Sequence, residues 1–419
     1  TGDMAWANDN QCLLYTRQDP ATLRACLVFR HFLGTDPQSD HLIFEESDET
    51  FSVAVSKSKS KRYLFVSSHQ TLSSEYRYLE ANAPSGPLRI FQARQPDHEY
   101  QVDHGGDDFL IRTNFEARNF RVMKASQDNT GRRHWQEVIP HQENVLLTDF
   151  EIFEDFLVLA ESSNGLTKIC VRPWDGQPRH YLGFDEPAYS AYIDTNPQFK
   201  TQLLRYGYSS LTTPPSTFDY DMKKRQKKLL KQQEVLGGFD AGNYMTERHY
   251  ARAGDGAEIP ISLVYRNSTA LDGRAPLLLY GYGAYGISEP AAFSSSRFSL
   301  IDRGFIHATA HVRGGKECGY RWYANGKLAH KPNTFSDFIA VAEHLGNTGY
   351  TAAGRIVPHG GSAGGMLMGA VANMRPDLFR AVVAEVPFVD VLNTMCDAAL
   401  PLTPPEWGEW GNPITDADA

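Results

Sequence analysis

The chain has 419 residues, a formal net charge of −9 and 12% aromatic residues. That length predicts two or three domains, and the aromatic content favours a β-rich architecture. The acidic balance disfavours a nucleic-acid partner. No apolar segment reaches the roughly 18–20 residues that cross a bilayer, so we expect no membrane partner. Five cysteines without CxxC spacing, and no visible secretion signal, predict a reducing, cytoplasmic location.

Short strand-like segments recur through the first half of the chain. Each carries a marker leucine, and the steps between markers are 51, 46, 47 and 47 residues. The markers are Leu13, Leu64, Leu110, Leu157 and Leu204. A repeat of roughly 40–50 residues built from short strands is typical of a β-propeller. We therefore predict a β-propeller domain with about five blades over residues 1–238, and a large β-sandwich is the alternative.

The pattern changes beyond Gly238 from repeated strands to alternating strands and helices. A turn at residues 254–256 separates the two strands of a predicted hairpin, and α/β units follow. The predicted strands are Glu247–Ala253, Glu258–Arg266, Pro276–Tyr280, Phe305–Val312, Ile356–His359 and Ala381–Val386, and the predicted helices are Thr334–His344 and Ala363–Met374. We therefore predict an α/β domain with a mostly parallel sheet over residues 239–419.

The strongest chemical motif is GGSAGG at residues 360–365, which lies between a predicted strand and a predicted helix. The G-x-S-x-G pattern in that setting is typical of a nucleophile elbow, in which a sharp turn lifts a serine hydroxyl clear of the backbone. Gly360 and Gly364 leave room on either side of Ser362. The helix N-terminus favours developing negative charge, so the Ala363 amide is a candidate oxyanion donor. A glycine-rich turn without chemistry is the alternative.

A second glycine motif, GYGAYG at residues 281–286, follows a predicted strand. It matches the G-x-G-x-x-G fingerprint of dinucleotide sites, but Pro290 and a run of serines disfavour the helix that must follow such a fingerprint. The bulky Tyr282 would also crowd a pyrophosphate, so we predict no cofactor. Loops at the carboxyl ends of parallel strands hold binding sites. The Tyr282 hydroxyl is therefore a candidate second oxyanion donor, and a packing role is the alternative.

Two charged patterns are interpreted as carrying no chemistry. The basic run Lys223–Lys228 is predicted to be a solvated hairpin in the last blade, because the chain is acidic and the run lacks interleaved aromatic residues. His98, Glu99 and His104 miss the H-E-x-x-H spacing of zinc sites. We therefore predict a solvated loop there and no metal site.

A general base for the serine is missing from its expected place. In α/β-hydrolases the acid and the histidine follow the nucleophile, yet no histidine occurs after Ser362. His311 and His330 precede the serine, so either would break that chain order. His359, on the preceding strand, is predicted to point away from the elbow. The sequence thus carries a nucleophile without its usual base.

Several segments together resemble the prolyl oligopeptidase family of serine peptidases, and within it the oligopeptidase B branch. They are residues 74–79 (SEYRYL), 204–210 (LRYGYSS), 232–240 (QQEVLGGFD), 280–283 (YGYG), 311–315 (HVRGG), 360–365 (GGSAGG) and 409–413 (EWGNP). The resemblance covers essentially the whole chain. It implies a seven-bladed propeller covering an α/β-hydrolase domain, with Ser362 as the nucleophile and Tyr282 and the Ala363 amide as the oxyanion hole. It also implies cleavage of short peptides after Lys or Arg, with the propeller excluding folded proteins.

Recognition of a basic substrate side chain requires carboxylates in the pocket that receives it. The resembling family has two glutamates there, two residues apart. The first matches Glu406, and Gly408 replaces the second. Glu409 is the candidate that compensates, and a surface acid is the alternative interpretation of Glu406. Lys316 is a further departure, because the family has an acidic or small residue at that position.

The chain is expected to be an internal fragment of a longer family member. Only about five of seven blades fit into it, and the part of the hydrolase domain implied to bring the acid and the histidine is absent. We expect such a fragment to be nearly inactive. One alternative is an esterase, or a proline- or acylaminoacyl-specific peptidase, of the same superfamily. Another is a propeller interaction module with a dead hydrolase domain. The sequence specifies no oligomeric state.

Overall fold

Residues 2–419 are described by a computed structural model, and the first half of them forms five separate sheets. Each sheet contains four antiparallel strands that lie side by side in chain order. The first three sheets are β1 (Met4–Trp6), β2 (Cys12–Gln18), β3 (Ala25–Phe32) and β4 (His41–Glu45); β5 (Ser52–Lys57), β6 (Tyr63–His69), β7 (Ser74–Glu80) and β8 (Arg89–Gln92); and β9 (Tyr100–Gly105), β10 (Asp108–Thr113), β11 (Arg121–Ser126) and β12 (Gln136–Ile139). The last two are β13 (Leu146–Ile152), β14 (Phe156–Ser163), β15 (Leu166–Pro173) and β16 (His180–Tyr181); and β17 (Tyr189–Ile193), β18 (Leu203–Ser210), β19 (Ser216–Asp221) and β20 (Gln226–Gln232). Such four-stranded meanders are propeller blades, so the prediction of five blades is confirmed and a two-sheet sandwich is excluded.

The leucine repeat corresponds to one position in every blade. All five marker leucines lie on the second strand of their sheet, on β2, β6, β10, β14 and β18. Four of them are almost fully buried, from Leu64 to Leu204, whereas Leu13 in the first sheet is partly exposed. The repeat was visible in the sequence because each blade must fill the same space against its neighbours.

The apolar core of this half lies between successive blades. One buried cluster joins each pair of neighbouring sheets, from the first pair to the fourth and fifth. The cluster between the second and third sheets is mainly aromatic, and it centres on Phe109, whose ring packs against Tyr63, Tyr78 and Phe91. Aromatic side chains fill the wedge between two twisted sheets, which accounts for the high aromatic content of the chain.

The second half forms one six-stranded sheet. Its strands are β21 (Tyr244–Arg252), β22 (Glu258–Arg266), β23 (Leu277–Tyr280), β24 (Ile306–Ala310), β25 (Ile356–Gly361) and β26 (Val383–Glu385). The order across the sheet is β21-β22-β24-β23-β25-β26. The first two strands are antiparallel, and the last four are parallel to one another. Every residue of β24 is buried, as expected for a central strand covered on both faces. The predicted mostly parallel sheet is confirmed.

Helices cover this sheet and are bounded by recognisable residues. They are α1 (Ser295–Ile301), α2 (Tyr320–Ala324), α3 (Pro332–Asn347), α4 (Ala363–Met374), α5 (Val391–Met395) and α6 (Thr403–Trp410). Helix α3 begins with a proline in its first turn and ends before Gly349, whose φ is +85°. It buries Phe338, Val341, Ala342 and Leu345, at the three- and four-residue spacing of one helix face. Helix α4 has the predicted bounds.

Of the two predictions made for charged segments, one is confirmed and one is wrong. The basic run Lys223–Lys228 is exposed throughout and spans the turn before β20 and the start of that strand, so it is a solvated hairpin as predicted. The solvated loop predicted around His98 and His104 is wrong. His98 is 4% exposed and packs on Tyr100, and His104 is 1% exposed, on β9, where it faces Tyr63. Burial among aromatic rings lowers the pKa of both histidines to about 4.

Residues 2–419 show no feature of a membrane-spanning helix, a metal cluster or a disulfide. No helix there combines the length and the apolar content that a membrane crossing needs. No cluster of three or more His, Cys, Asp or Glu side chains in this part of the chain has a metal-binding arrangement. All five cysteines are unpaired.

Candidate active site

The predicted nucleophile elbow forms where β25 ends and α4 begins. Ser362 has φ +54° and ψ −119°, a conformation that costs a non-glycine residue on the order of 1–3 kcal/mol. Backbone hydrogen bonds hold it: its amide donates to the Glu385 carbonyl (2.9 Å), and its carbonyl accepts from the amides of Gly365 (2.9 Å) and Phe388 (3.0 Å). Ala363 is the first residue of α4, so its amide has no acceptor within the helix. Strain at this residue is typical of a serine that is presented for reaction.

The two glycines of the motif are required by close backbone packing. A Cβ at Gly360 would lie 2.5 Å from the Gly364 carbonyl oxygen, and a Cβ at Gly364 would lie 2.7 Å from the Gly281 carbonyl oxygen. Both distances are well below van der Waals contact. The elbow is therefore pressed against the loop that follows β23, and this contact brings the two glycine motifs together.

That loop, residues Gly281–Glu289, is named the tyrosine loop here. Its Tyr282 side chain lies at Ser362. Burial raises the pKa of Tyr282 above its ordinary value of 10.0, and hydrogen bonding with Ser362 offsets part of the rise. Nearby carboxylates, Glu289 foremost, raise it further. The phenol therefore stays neutral at physiological pH and keeps a proton to donate.

Both acids assigned to substrate binding lie on α6, but only one is accessible. Glu406 is partly exposed, and its Oε2 accepts hydrogen bonds from the Tyr285 hydroxyl (2.9 Å) and the Trp410 indole (3.2 Å). Glu409 is 0% exposed, and both its oxygens are occupied. They accept from the Tyr285 amide (2.9 Å) and the Tyr323 hydroxyl (2.7 Å). Glu409 thus anchors the tyrosine loop, and Glu406 is the carboxylate that a ligand can reach.

None of the histidines in residues 2–419 hydrogen bonds to Ser362. His311 is buried and its Nε2 lies 2.8 Å from the Ser262 hydroxyl. His359 packs on Tyr280, with its Nε2 3.3 Å from Glu385. His330 lies exposed at the end of a short helical turn. The described residues therefore bring together the Ser362 hydroxyl, the Ala363 amide and the Tyr282 hydroxyl, and no histidine joins them.

Sequence reasoning missed the residues that support the site. Tyr285 links Glu406, Glu409 and Trp410, although it stood in a motif considered only for its glycines. Lys331 donates to the Gly283 carbonyl inside the tyrosine loop, and burial lowers the pKa of this lysine to about 8. Lys316, the unexplained departure, packs its methylenes on Gly286, with its ammonium 5.2 Å from the centre of the Tyr323 ring. A polar residue at the carboxyl end of a strand was the available signal.

Two family models match the chain. The one described as "Prolyl oligopeptidase, N-terminal beta-propeller domain" matches residues 1–233, and the one described as "Prolyl oligopeptidase family" matches residues 291–419. Together they cover the five blades and the whole elbow region.

Curated relatives and solved structures are similar along nearly all of the chain. Dipeptidyl aminopeptidase BI of Pseudoxanthomonas mexicana is 44% identical over 98% of this chain and 57% of its own length. Protease 2 of Moraxella lacunata is 39% identical over 100% of this chain and 60% of its own length. Oligopeptidase B from Trypanosoma brucei, solved in a closed form with covalently bound antipain, superposes with a TM-score of 0.93 at 38% identity, over 98% of this chain and 60% of its own. The chain thus spans about 60% of the length of these relatives.

Proposed function

Because this chain belongs to the prolyl oligopeptidase family, we propose that it carries the nucleophile and oxyanion hole of a serine oligopeptidase. The Ser362 hydroxyl attacks the carbonyl carbon of a peptide bond, and the Tyr282 hydroxyl and the Ala363 amide donate hydrogen bonds to the oxyanion that forms. The observation that carries the proposal is the strained Ser362 at the start of α4, packed against the loop that carries the neutral Tyr282.

We propose that the general base and its orienting acid come from a segment outside residues 1–419. Support comes from the absence of histidine after Ser362 and from the greater length of the relatives. The intact mass of the natural protein tests this point. A mass well above that of 419 residues is expected, and a mass equal to it would instead favour a non-catalytic propeller module with a dead hydrolase domain.

The test of the nucleophile is Ser362→Ala in the full-length enzyme. Peptidase activity is expected to fall on the order of 10⁴-fold or more, because the remaining oxyanion donors and binding contacts retain only residual catalysis. Circular dichroism confirms that the variant is folded. Wild-type turnover by the folded variant would overturn the proposal.

We propose short peptides as substrates, cleaved after Lys or Arg, with Glu406 as the carboxylate that receives the basic side chain. Its support is that Glu406 is partly exposed with an acceptor oxygen to spare, whereas Glu409 is fully occupied. Glu406→Gln is expected to lower kcat/KM for blocked arginine substrates by about tenfold relative to blocked proline substrates, since a charge-assisted hydrogen bond is lost. An unchanged ratio would remove Glu406 from specificity.

A proline-specific peptidase of the same superfamily is the second candidate. Two aromatic side chains, Tyr285 and Trp410, hydrogen bond to Glu406 and pack on each other, and the Phe388 ring packs on Trp410. A pocket with one carboxylate among aromatic rings can also receive the apolar ring of proline. The comparison of blocked arginine with blocked proline substrates separates the two candidates.

The proposed domain division places the propeller in residues 1–238 and the α/β-hydrolase domain in residues 239–419. It is supported by the interval between β20, which ends at Gln232, and β21, which begins at Tyr244. We further propose a cytoplasmic location, on the basis of the five unpaired cysteines. Fractionation of source cells tests the location.

A further inference from the structure

The tyrosine loop is held in place by a second loop, the junction segment, which comprises residues Gly314–Arg321 after β24. The Gly286 amide donates to the Gly314 carbonyl (2.9 Å), and a Cβ at Gly314 would clash with the Gly283 carbonyl. Lys316 packs its side chain on Gly286. The two loops therefore touch backbone to backbone, so a shift of one must displace the other.

Glu317 of the junction segment fixes the far end of the tyrosine loop. Its Oε1 accepts the Glu289 amide at 2.9 Å, and its side chain is 3% exposed. The other oxygen, Oε2, has no hydrogen-bond partner within residues 2–419. Gly315 makes room for the carboxylate, because a Cβ there would lie on it. The buried His311 faces the same carboxylate, with its Nδ1 3.8 Å from Oε1. A buried carboxylate with one oxygen unpartnered is costly, so fold stability alone does not explain it.

The backbone of the same residue is bound to the propeller. The Glu317 carbonyl accepts the Gly165 amide (2.9 Å) and the Ser162 hydroxyl (3.2 Å), both at the turn between β14 and β15. Nearby, the Tyr320 amide donates to the Asn119 side chain (2.9 Å) of the third blade. The propeller therefore holds the main chain of Glu317, while the side chain of Glu317 holds the tyrosine loop.

We propose that Glu317 is a positioning residue that couples propeller docking to the placement of the Tyr282 hydroxyl. This inference rests on the proposed function and extends it: the oxyanion hole is complete only when the propeller is docked. Separation of the domains would release the Glu317 main chain, then the Glu289 amide, and so loosen Tyr282. A misplacement of about 1 Å at a catalytic group costs up to 10²-fold in rate.

The test compares Glu317→Ala, Glu317→Gln and Glu143→Gln in the full-length enzyme. Glu143 is the matched control, because it pairs with Arg321 of the same segment at 2.8 Å but is half exposed and does not contact the tyrosine loop. Glu317→Ala is expected to lower kcat between tenfold and a hundredfold, with KM unchanged within twofold. Affinity for a peptide aldehyde, whose adduct with Ser362 mimics the oxyanion, falls in parallel. Glu317→Gln keeps an acceptor oxygen and stays within about threefold of wild type, as does Glu143→Gln.

A double-mutant cycle distinguishes positioning from general damage. If Glu317 acts through Tyr282, Glu317→Ala should cost almost nothing further in a Tyr282→Phe background. An equal loss in both backgrounds, or a kcat for Glu317→Ala no lower than that of Glu143→Gln, overturns the inference.

If Glu317→Ala does not fold, Glu317→Asp takes its place, because its shorter side chain withdraws the acceptor from Glu289. Ser362→Ala keeps the two proposals apart: activity in that variant defeats the proposed function, whereas an inactive Ser362→Ala with an unaffected Glu317→Ala defeats only this inference.

Discussion

The propeller and the α/β domain bury their apolar residues in different ways. In the propeller each cluster joins two sheets that are neighbours in the chain, as Leu64 and Val53 do with Leu14 and Val28. In the α/β domain one cluster gathers residues from Ala251 to Leu378 across strands whose order in the sheet differs from their order in the chain. Short-range repetition stabilises the first region, and long-range contacts stabilise the second. The strained Ser362 belongs to the region in which many distant contacts can hold it.

After Ser362→Ala, the largest loss of activity is expected from Tyr282→Phe, which probes the long-range contact between the two glycine motifs. Tyr282→Phe removes the hydroxyl proposed as an oxyanion donor and keeps the ring, so kcat of the full-length enzyme should fall by about 10²–10³-fold, equivalent to roughly 3–4 kcal/mol. KM for a short peptide should change little, since the hydroxyl acts in the transition state. Steady-state kinetics measure both values. A fall in kcat below threefold would mean that Tyr282 only packs against the elbow.

The sequence predicts features that depend on local patterns, and it fails for features that depend on contacts between distant residues. The leucine repeat and the G-x-S-x-G motif are local patterns, so five blades and the bounds of α4 could be predicted. Glu409 could not be placed, because its burial depends on Tyr285 and Tyr323, which are 124 and 86 residues away in the chain. Its charge and position beside Glu406 predicted a pocket acid, and only the folded packing turns it inward.

The solvated loop predicted around His98 and His104 was wrong for a related reason. His104 alternates with partly buried neighbours along β9, and the ring of Tyr63 that covers it comes from the previous blade. A single strand shows which residues share a face but not what packs on that face. Glu317 was missed entirely, since its position matters only in the folded chain, where its carbonyl accepts the Ser162 hydroxyl of the propeller and its side chain accepts the Glu289 amide.

The second prediction concerns a smaller effect, the loss of folding stability when one glycine in each region is replaced by alanine. Gly360→Ala forces a Cβ to within 2.5 Å of the Gly364 carbonyl oxygen, so the free energy of unfolding should fall by about 3 kcal/mol. Gly176→Ala is the matched control in the propeller. It has no neighbour within 4 Å, and its φ of +84° costs about 1 kcal/mol. Denaturant unfolding of both variants measures the difference. Equal losses would show that the elbow does not depend on this backbone contact.

The smallest effect concerns the pH dependence of the propeller. Desolvation raises the pKa of Asp103 on β9 to about 7, although its Oδ1 accepts the amides of Lys59 (2.8 Å) and His104 (2.7 Å). The folded state therefore keeps a proton that the unfolded state has lost between about pH 4 and pH 7, and folding stability falls as pH rises through that window. Asp103→Asn keeps the acceptor oxygen and removes the titration. Thermal unfolding at pH 5 and pH 8 should show the variant gaining on the order of 1 kcal/mol over wild type at the higher pH.

The buried His98 and His104 oppose this trend, because their lowered pKa values make stability fall as pH drops from about 6.5 to about 4. Both proteins share them, so the difference between the two curves isolates Asp103, and parallel curves would show that this carboxyl titrates alike in both states.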